Sequence, residues 1–271
     1  MARFGPGTVV AVTGGARGIG RATASAFVAA GARVAIGDLD SFAETAAELG
    51  SGVVGLPLDV TDRASFRAFL DAAESALGPL DVLVNNAGIM PSGAFLDEDD
   101  AMTDRVVDIN LRGVLIGCKL AGTRFAARGR GHIVNVASLM GAFAAPDLAT
   151  YGATKSAVLG FSEAFGQEVR SAGVGVTTVL PGVVRTELAA GTNYPKWADR
   201  FIAVEPADVA AAIVAAVGSG RRTVALPRFL YTMARLSALA PPGFRARGNE
   251  FVRLDHEARA AYHRRISGDA P

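Results

Sequence analysis

The chain has 271 residues, of which 50% are hydrophobic, and its 27 basic and 26 acidic side chains give a formal net charge of +1. This length can bury one large core, so we expect a single domain, and the balanced charge argues against nucleic-acid binding. The single cysteine, Cys118, excludes an internal disulfide and a cysteine-based metal site. We expect no bound metal and a reducing, cytoplasmic location. No charged region followed by a long apolar run opens the chain, which disfavours secretion and membrane spanning.

The first predicted strand, residues 8–12, leads directly into a glycine-rich turn and then into a helix. The turn reads Thr-Gly-Gly-Ala-Arg-Gly-Ile-Gly over residues 13–20. Strand, turn and helix in this order are typical of dinucleotide binding, because glycines let the backbone approach a pyrophosphate whose charge the helix N-terminus stabilises. The predicted cofactor contacts in this turn are Gly14, Ala16, Arg17, Gly18, Ile19 and Gly20.

The second predicted strand, residues 33–37, ends at Asp38, about twenty residues past the glycine turn. An acid at this place binds the adenosine ribose 2′-hydroxyl and repels a 2′-phosphate, which favours NAD over NADP. Arg17 supports the opposite preference if Asp38 points elsewhere, although a solvated surface charge is the simpler interpretation of Arg17. We predict that Asp38 and Leu39 contact the cofactor.

The third and fourth predicted strands, residues 53–58 and 80–84, each end in residues that suit a nucleotide. Asp59 and Val60 follow the third strand, where Asp59 could hold an adenine amino group or could instead begin the next helix. Asn-Asn-Ala-Gly follows the fourth strand at residues 85–88 and suits close approach of a ribose to the backbone. The predicted cofactor contacts here are Asp59, Val60, Asn86, Ala87 and Gly88.

A long helical stretch is predicted for residues 98–127, and Asn110 lies in its middle, where amides are not favoured. Such a residue can hold a water or a bent backbone near a site. A satisfied core asparagine is the competing interpretation.

A catalytic group is predicted at residues 138–155. The apolar strand of residues 132–137 ends near Ser138, at the sheet edge where ligands bind in open α/β folds. Tyr151 and Lys155 are one turn apart at the start of the helix predicted for residues 147–170, so they share a face. An ammonium beside the phenol is expected to lower its pKa, which lets the pair transfer a proton, while Ser138 holds the substrate oxygen.

The sixth strand, residues 174–180, is followed by Pro-Gly-Val-Val-Arg-Thr at 181–186. We predict that Pro181, Gly182, Val184 and Thr186 close over the cofactor, with Thr186 able to hydrogen-bond a carboxamide. Residues 187–204 are predicted to form a lid. The predicted substrate pocket is mostly apolar and consists of Met90, Met140, Phe143, Val183, Tyr194 and Trp197.

We assign residues 1–226 to a catalytic domain, whose final helix begins at Pro206 and whose last strand is residues 222–226. Residues 227–271 form a C-terminal extension. Five apolar residues recur in it at helical spacing with arginines between them: Phe229, Leu230, Met233, Leu236 and Leu239. Such a face can cover a pocket, pack on another subunit or rest on a membrane surface, and packing within the protein is the simplest interpretation.

Taken together, these motifs resemble the short-chain dehydrogenase/reductase family over about residues 7–226. The resemblance is carried by Thr13-Gly14-x-x-x-Gly18-x-Gly20, Asp59, Asn85-Asn86-Ala87-Gly88, Asn110, Ser138, Tyr151-x-x-x-Lys155 and Pro181-Gly182-x-x-x-Thr186. It implies a single α/β domain of Rossmann-like, doubly wound type, with about seven parallel strands, helices on both faces and assembly as a homodimer or homotetramer.

The same resemblance implies specific roles. Tyr151 is the general acid/base, Lys155 lowers its pKa and binds the nicotinamide ribose, Ser138 orients the substrate oxygen, and Asn110 holds a water that links Lys155 to solvent. The expected reaction is hydride transfer between NAD and a lipophilic secondary alcohol or ketone, such as a steroid, retinoid or long-chain alcohol. The alternatives are an NADPH-dependent 3-oxoacyl-type reductase and an NAD-binding regulatory protein without turnover.

Overall fold

The computed structural model describes residues 5, 7–189, 192–193, 199–237, 253–254, 259, 262–264 and 266. A seven-stranded parallel sheet forms its centre. The strands are β1 Val9–Thr13, β2 Arg33–Asp38, β3 Val53–Pro57, β4 Val82–Asn85, β5 Gly131–Val136, β6 Val174–Pro181 and β7 Thr223–Leu226. Their order is β7-β6-β5-β4-β1-β2-β3, with every neighbouring pair parallel. The order reverses between β1 and β4, and this switch point is where open α/β sheets form a binding crevice.

Helices cover both faces of the sheet, as predicted. They are α1 Gly18–Ala29, α2 Phe42–Leu49, α3 Arg63–Leu77, α4 Asp100–Val107, α5 Gly113–Arg128, α6 Ala149–Glu168, α7 Pro206–Ser219 and α8 Arg228–Ser237. Alternate residues of β1 face opposite layers: Val9 and Ala11 pack with α3, α5 and α6, whereas Val10 and Val12 pack with α1, α2 and α7. The predicted Rossmann-like, doubly wound fold is confirmed.

The single helix predicted for residues 98–127 is wrong in one respect. The chain forms α4, then a π-helical turn at Asp108–Arg112, and then α5. A π-turn widens the helix locally and is often found at functional sites. Asn110 lies in this turn, and its side-chain amide bonds to backbone outside the helix.

Short strands connect the segments that follow β6. Val183–Val184 pairs in parallel with Ala203–Val204, and Thr192–Asn193 pairs in antiparallel with Arg253–Leu254. Helix α8 packs Leu230 and Tyr231 against the core, while other apolar side chains on it remain exposed: Phe229, Met233 and Leu236. Within the described part of the chain, no helix has both the length and the apolar character needed to cross a membrane.

Candidate active site

A cavity of about 360 Å³ opens at the carboxyl edge of the sheet, along the switch point between β1 and β4. Most of the predicted site residues line it. They are Gly14, Arg17, Gly18, Ile19, Asp38, Leu39, Asp59, Val60, Asn86, Ala87, Gly88, Met90, Ser138, Met140, Tyr151, Lys155, Pro181, Gly182, Val183, Val184 and Thr186. Ala16, Gly20 and Asn110 lie behind this surface and contact residues that line it.

The glycine-rich turn leaves no room for side chains at Gly14, Gly15 and Gly20. Gly14 has φ +63°, and a Cβ there would lie 2.9 Å from the Ala87 Cα. A Cβ at Gly20 would overlap the carbonyl oxygen of Gly14. Asn86 fixes this contact, since its Nδ2 donates to the carbonyl oxygens of Thr13 and Gly14 at 3.0 Å each. The glycines therefore bring the turn close to the end of β4 and keep its outer surface open to a ligand.

Helix α1 begins at Gly18, directly beneath the cavity, with Arg17 as its N-cap residue. The Arg17 side chain turns away from the helix amides and forms an ion pair with Asp40 and a hydrogen bond to Ser41. No side chain of the N-cap residue accepts from the first amides of α1, so these amides are open to an anion, which the helix dipole also favours. This arrangement fits a pyrophosphate.

Asp38 ends β2, and both of its carboxylate oxygens accept backbone hydrogen bonds. The Ala16 amide donates at 3.0 Å and the Leu39 amide at 2.9 Å. Burial raises the pKa of Asp38, and the two backbone hydrogen bonds oppose this shift. Arg17 is ion-paired with Asp40, so the described residues give this corner of the cavity two carboxylates, Asp38 and Asp40, and one paired cation.

Asp59 and Val60 follow β3 and line the adjacent part of the cavity. Asp59 accepts from both the amide and the hydroxyl of Thr61, at 2.9 and 2.7 Å. The helix-start role belongs to Asp62, which caps α3 through Ala64 and Ser65. Asp59 therefore orders the turn before the cap and remains at the cavity surface.

The side of the cavity formed by the residues after β6 faces the glycine turn. A Cβ at Gly18 would lie 3.3 Å from the methyl group of Thr186, so these two residues lie opposite each other. Gly182 is held by its amide, which donates to the Leu226 carbonyl oxygen at 2.7 Å.

The predicted catalytic side chains meet at the floor of the cavity. Ser138, Tyr151 and Lys155 are all buried, at 7%, 6% and 4% exposure. The Ser138 hydroxyl accepts from the Met140 amide at 3.1 Å and is hydrogen-bonded to the Tyr151 side chain. Lys155 Nζ donates to the Val136 carbonyl oxygen at 3.0 Å and lies 5.7 Å from the centre of the Tyr151 ring.

Burial acts on these two ionisable groups in opposite directions. It raises the pKa of Tyr151 to about 12, against the lowering effect of the Ser138 hydrogen bond, and it lowers the pKa of Lys155 to about 8. From the sequence we predicted that the Lys155 ammonium lowers the pKa of Tyr151. The structure shows that burial has the larger effect, because the amine is itself buried and donates to a backbone carbonyl.

Asn110 connects the π-turn to the residues after β4. Its Oδ1 accepts from the Ile89 amide and its Nδ2 donates to the Ile89 carbonyl oxygen, both at 2.8 Å. A Cβ on Gly88 would lie 3.2 Å from Asn110 Oδ1 and 3.5 Å from Lys155 Nζ, so the three residues are neighbours. Asn110 thereby holds the backbone beside Lys155, and its predicted role in holding a water stays a prediction.

The substrate side of the cavity is apolar. Met90, Leu148 and Tyr151 form a small buried cluster, against which Met140, Ala145 and Leu188 pack. Tyr194 and Trp197, which were predicted to line the pocket, lie outside the described residues.

Phe143 is a correction to the predicted pocket. Phe143 is not one of the described residues that line the cavity, because its side chain packs against the larger core cluster. The turn at Leu139–Gly141 explains this, since the Phe143 amide donates to the Leu139 carbonyl oxygen at 2.9 Å and closes a helical turn that carries the ring inward.

Tyr262 and Ile266 also line the cavity, although sequence reasoning assigned them no role. They are 4% and 5% exposed, and the Tyr262 hydroxyl accepts from the Met90 amide at 2.8 Å across 172 residues of sequence. Asp40 was missed as well, and its acidic side chain two residues after Asp38 was the only available signal.

This combination fits a nicotinamide dinucleotide. The glycine turn and the α1 N-terminus would hold its pyrophosphate, Asp38 its adenosine ribose, and Lys155 its nicotinamide ribose. The fit rests on the close packing of Gly14 and Gly20 and on the first amides of α1, which have no side-chain cap.

Comparison with known proteins agrees with this geometry. The family model described as short chain dehydrogenase matches residues 8–197. A Mycobacterium tuberculosis protein described as probable oxidoreductase EphD is 42% identical over 193 residues, which cover 69% of this chain and 33% of that protein. The chain thus spans about a third of the length of that relative.

Two further comparisons cover more of both proteins. The 3-alpha-(or 20-beta)-hydroxysteroid dehydrogenase of Mycobacterium tuberculosis is 39% identical over 186 residues, covering 67% of this chain and 71% of that protein. The crystal structure of a short chain dehydrogenase/reductase from Burkholderia phymatum in complex with NAD superposes with a TM-score of 0.79 at 27% identity, covering 88% of this chain and 95% of that chain. With a family model matched over most of its length and this cavity at its sheet edge, the chain belongs to the short-chain dehydrogenase family.

Proposed function

We propose that the protein is an oxidoreductase that transfers a hydride between NAD and a lipophilic secondary alcohol or ketone. The observation that carries the proposal is the buried group of Ser138, Tyr151 and Lys155 at the floor of the cavity. Tyr151 lies between a hydroxyl that can hold a substrate oxygen and a cation that can hold a ribose.

In the oxidising direction, the Tyr151 phenolate takes the hydroxyl proton of the alcohol while the carbonyl double bond forms. The neighbouring carbon–hydrogen bond breaks, and its electron pair leaves with the hydrogen as hydride. The nicotinamide ring, when bound, supplies the acceptor or donor for that hydride. Ser138 hydrogen-bonds the substrate oxygen throughout and keeps it against Tyr151.

The pKa values assign a form of Tyr151 to each direction. With its pKa raised to about 12, Tyr151 holds its proton at neutral pH, which is the form that donates to a ketone oxygen. Oxidation needs the phenolate, so its rate rises with pH toward the alkaline range.

NAD is the proposed cofactor because the ribose corner of the cavity is acidic. Asp38 and Asp40 both line it, and Arg17 is engaged with Asp40. A 2′-phosphate would meet two carboxylates and one cation, and that cation is already paired with Asp40. The Burkholderia phymatum structure, which contains NAD, supports the same preference.

Asp38→Ala tests the cofactor preference. We expect the ratio of kcat/KM for NAD to that for NADP to fall by at least about tenfold, since the repulsion and the ribose hydrogen bond are both lost. Asp97→Ala, a carboxylate in the turn at Phe95–Asp97, is the control and is expected to keep the wild-type ratio. An unchanged ratio in Asp38→Ala would overturn the assignment.

The substrate class follows from the apolar lining of the pocket and from the name of the mycobacterial hydroxysteroid dehydrogenase. Spectrophotometric assay of NADH formation from a panel of steroid, monocyclic and long-chain alcohols tests it. Turnover of ring alcohols is the expected result, and turnover of polar, charged alcohols alone would contradict the proposed class.

Two alternatives make different predictions in the same assay. An NADPH-dependent 3-oxoacyl-type reductase would prefer NADPH and thioester substrates. A regulatory protein would bind NADH without any turnover. The buried, complete group of Ser138, Tyr151 and Lys155 favours an enzyme over the regulatory alternative.

Helix α8 is the proposed contact surface of the protein. Helix α8 exposes Phe229, Met233 and Leu236, which supports association through this helix with a second subunit or with a membrane surface. Light scattering separates a homodimer or homotetramer from a monomer, and vesicle sedimentation tests the membrane contact.

A further inference from the structure

The described residues near the C-terminus reach into the catalytic cavity. Arg259, Tyr262 and Ile266, here called the C-terminal wall, are 0%, 4% and 5% exposed. Tyr262 and Ile266 line the same cavity as Ser138 and Tyr151. Part of the cavity lining is therefore formed by residues more than a hundred positions away in sequence from Tyr151.

Arg259 joins two loops that arise from different strands. Its Nη2 donates to the Met90 carbonyl oxygen at 2.6 Å, in the segment after β4. Its Nη1 donates to the Leu188 carbonyl oxygen at 3.2 Å, in the segment after β6. A charged donor makes stronger hydrogen bonds than a neutral one, so one side chain holds both loops at a fixed separation.

The same guanidinium group also seats Tyr262. It lies over the Tyr262 ring, 5.2 Å from its centre, while the Tyr262 hydroxyl accepts from the Met90 amide at 2.8 Å. Both backbone polar groups of Met90 are thus bound by the C-terminal wall. Met90 belongs to the same buried cluster as Tyr151, so the wall is bonded to a residue of the cluster that holds the catalytic phenol.

We propose that the C-terminal wall selects the substrate by size: Ile266 and Tyr262 are specificity-determining residues, and Arg259 is the positioning residue that seats them. The inference rests on the proposed function and deepens it. The cavity is lined by the predicted dinucleotide-binding residues as well as by Tyr262 and Ile266, so cofactor and substrate would share it. With the wall seated, compact one-ring secondary alcohols are favoured over four-ring ones.

The test compares kcat/KM for a four-ring hydroxysteroid with that for cyclohexanol, both with NAD. Ile266→Ala removes side-chain volume from the wall, and we expect the steroid-to-cyclohexanol ratio to rise about tenfold, in line with the value of a few methylene groups in a pocket. Ile213→Ala, a fully buried position on α7 that packs on the other face of the sheet, is the matched control and keeps the wild-type ratio. Equal ratios in the two folded variants would overturn the proposal.

The positioning role of Arg259 is tested by the pH dependence of oxidation. Arg259→Met is expected to lower kcat/KM for cyclohexanol at least about tenfold and to move the alkaline rise of oxidation to higher pH, because a buried cation that favours the Tyr151 phenolate is removed. Ser138, Lys155 and Tyr262, which also face Tyr151, are left in place. Arg259→Lys keeps the charge, so the pH profile should return while the ratio of substrates stays altered.

Arg128→Met is the control for that change, because Arg128 also donates to a backbone carbonyl, that of Leu80, far from the cavity. A wild-type pH profile in a folded Arg259→Met variant would contradict the positioning role. Should Arg259→Met fail to fold, the Ile266→Ala comparison still decides the proposal.

If the proposed function itself is wrong, the kinetic result differs from the one expected when only the role of the C-terminal wall is wrong. Wild-type protein would then turn over neither alcohol with NAD or NADP. In that case the thermal shift that each alcohol produces in the presence of NADH is measured instead of the kinetic ratio. If Ile266→Ala does not change the order of the two shifts, the proposed role of the C-terminal wall is wrong.

Discussion

Tyr151 shows how burial sets the protonation state of a side chain that we propose is catalytic. Its ring packs with Met90 and Leu148, and this apolar environment disfavours the phenolate more than the nearby groups favour it. Burial lowers the pKa of Lys155, since it disfavours the ammonium form. The amine nevertheless carries a proton near pH 7, because its pKa is about 8.

His132 provides a second titratable group whose environment leads to a measurable effect. It lies at the start of β5, with its Nε2 2.8 Å from the Thr177 hydroxyl on β6, and a Cβ on Gly175 would approach the ring to 2.5 Å. Burial lowers the pKa of His132 from 6.5 to about 4.

The protein is therefore expected to lose stability as pH falls from 6.5 toward 4. Below pH 6.5 the unfolded chain binds a proton at this histidine, whereas the folded chain stays neutral until about pH 4, so the slope is on the order of 1 kcal/mol per pH unit. Urea unfolding at several pH values measures it. His132→Gln should flatten the slope, and Thr177→Val, which removes the partner but keeps the histidine, should retain it. Equal slopes in wild type and His132→Gln would exclude His132 as the cause.

The sequence correctly placed those residues whose position depends only on the strand or helix that carries them. Asp38 ends a strand at a set distance from the glycine turn, and Tyr151 and Lys155 share a helix face whatever packs against them. The direction of a single side chain after a turn was not predictable in this way. Phe143 was assigned to the pocket because it follows Ser138, yet after the turn at Leu139–Gly141 its partly buried side chain packs against the core.

Among the elements, the π-turn at Asp108–Arg112 matters most for the site. It places Asn110 opposite Ile89, and the paired amide fixes the segment that continues to Met90. Sequence reasoning predicted a bent backbone as one explanation for an amide in mid-helix. It did not predict the break itself, because apolar spacing on either side continues through the turn.

Asn110→Ala is expected to lower both stability and activity. Loss of the amide leaves the Ile89 amide and carbonyl groups without their partner, which costs about 1–3 kcal/mol for each buried group. Because Ile89 precedes Met90, we also expect kcat/KM to fall by at least about tenfold.

Asn135→Ala is the matched control for this prediction. Asn135 is likewise fully buried and bonds to Asn85 and Ser162 within the core. It should lower the free energy of unfolding by a comparable amount with kcat/KM changed less than about twofold. Similar losses of activity in the two variants would show that Asn110 acts only through stability.

Over the whole molecule, the sheet edge brings together groups from distant parts of the chain. The motifs of β1, β2, β4, β5 and α6 meet there because parallel strands end at a common edge, and this assembly was predictable from their order. The C-terminal wall was not predictable. Its contact with Met90 joins residues 169 and 172 positions apart, and a periodic pattern in sequence carries no information about such a contact.

The proposed role of Tyr151 in acid/base catalysis requires its hydroxyl for turnover and not for cofactor binding. A comparison of wild type and Tyr151→Phe in two assays tests this role: NADH binding by thermal shift, and NADH formation from a ring alcohol. We expect equal thermal shifts and a loss of turnover of at least about a hundredfold in the variant, because only the proton-transferring hydroxyl is removed. Equal turnover in the two proteins, or NADH binding by both without turnover in either, would contradict it.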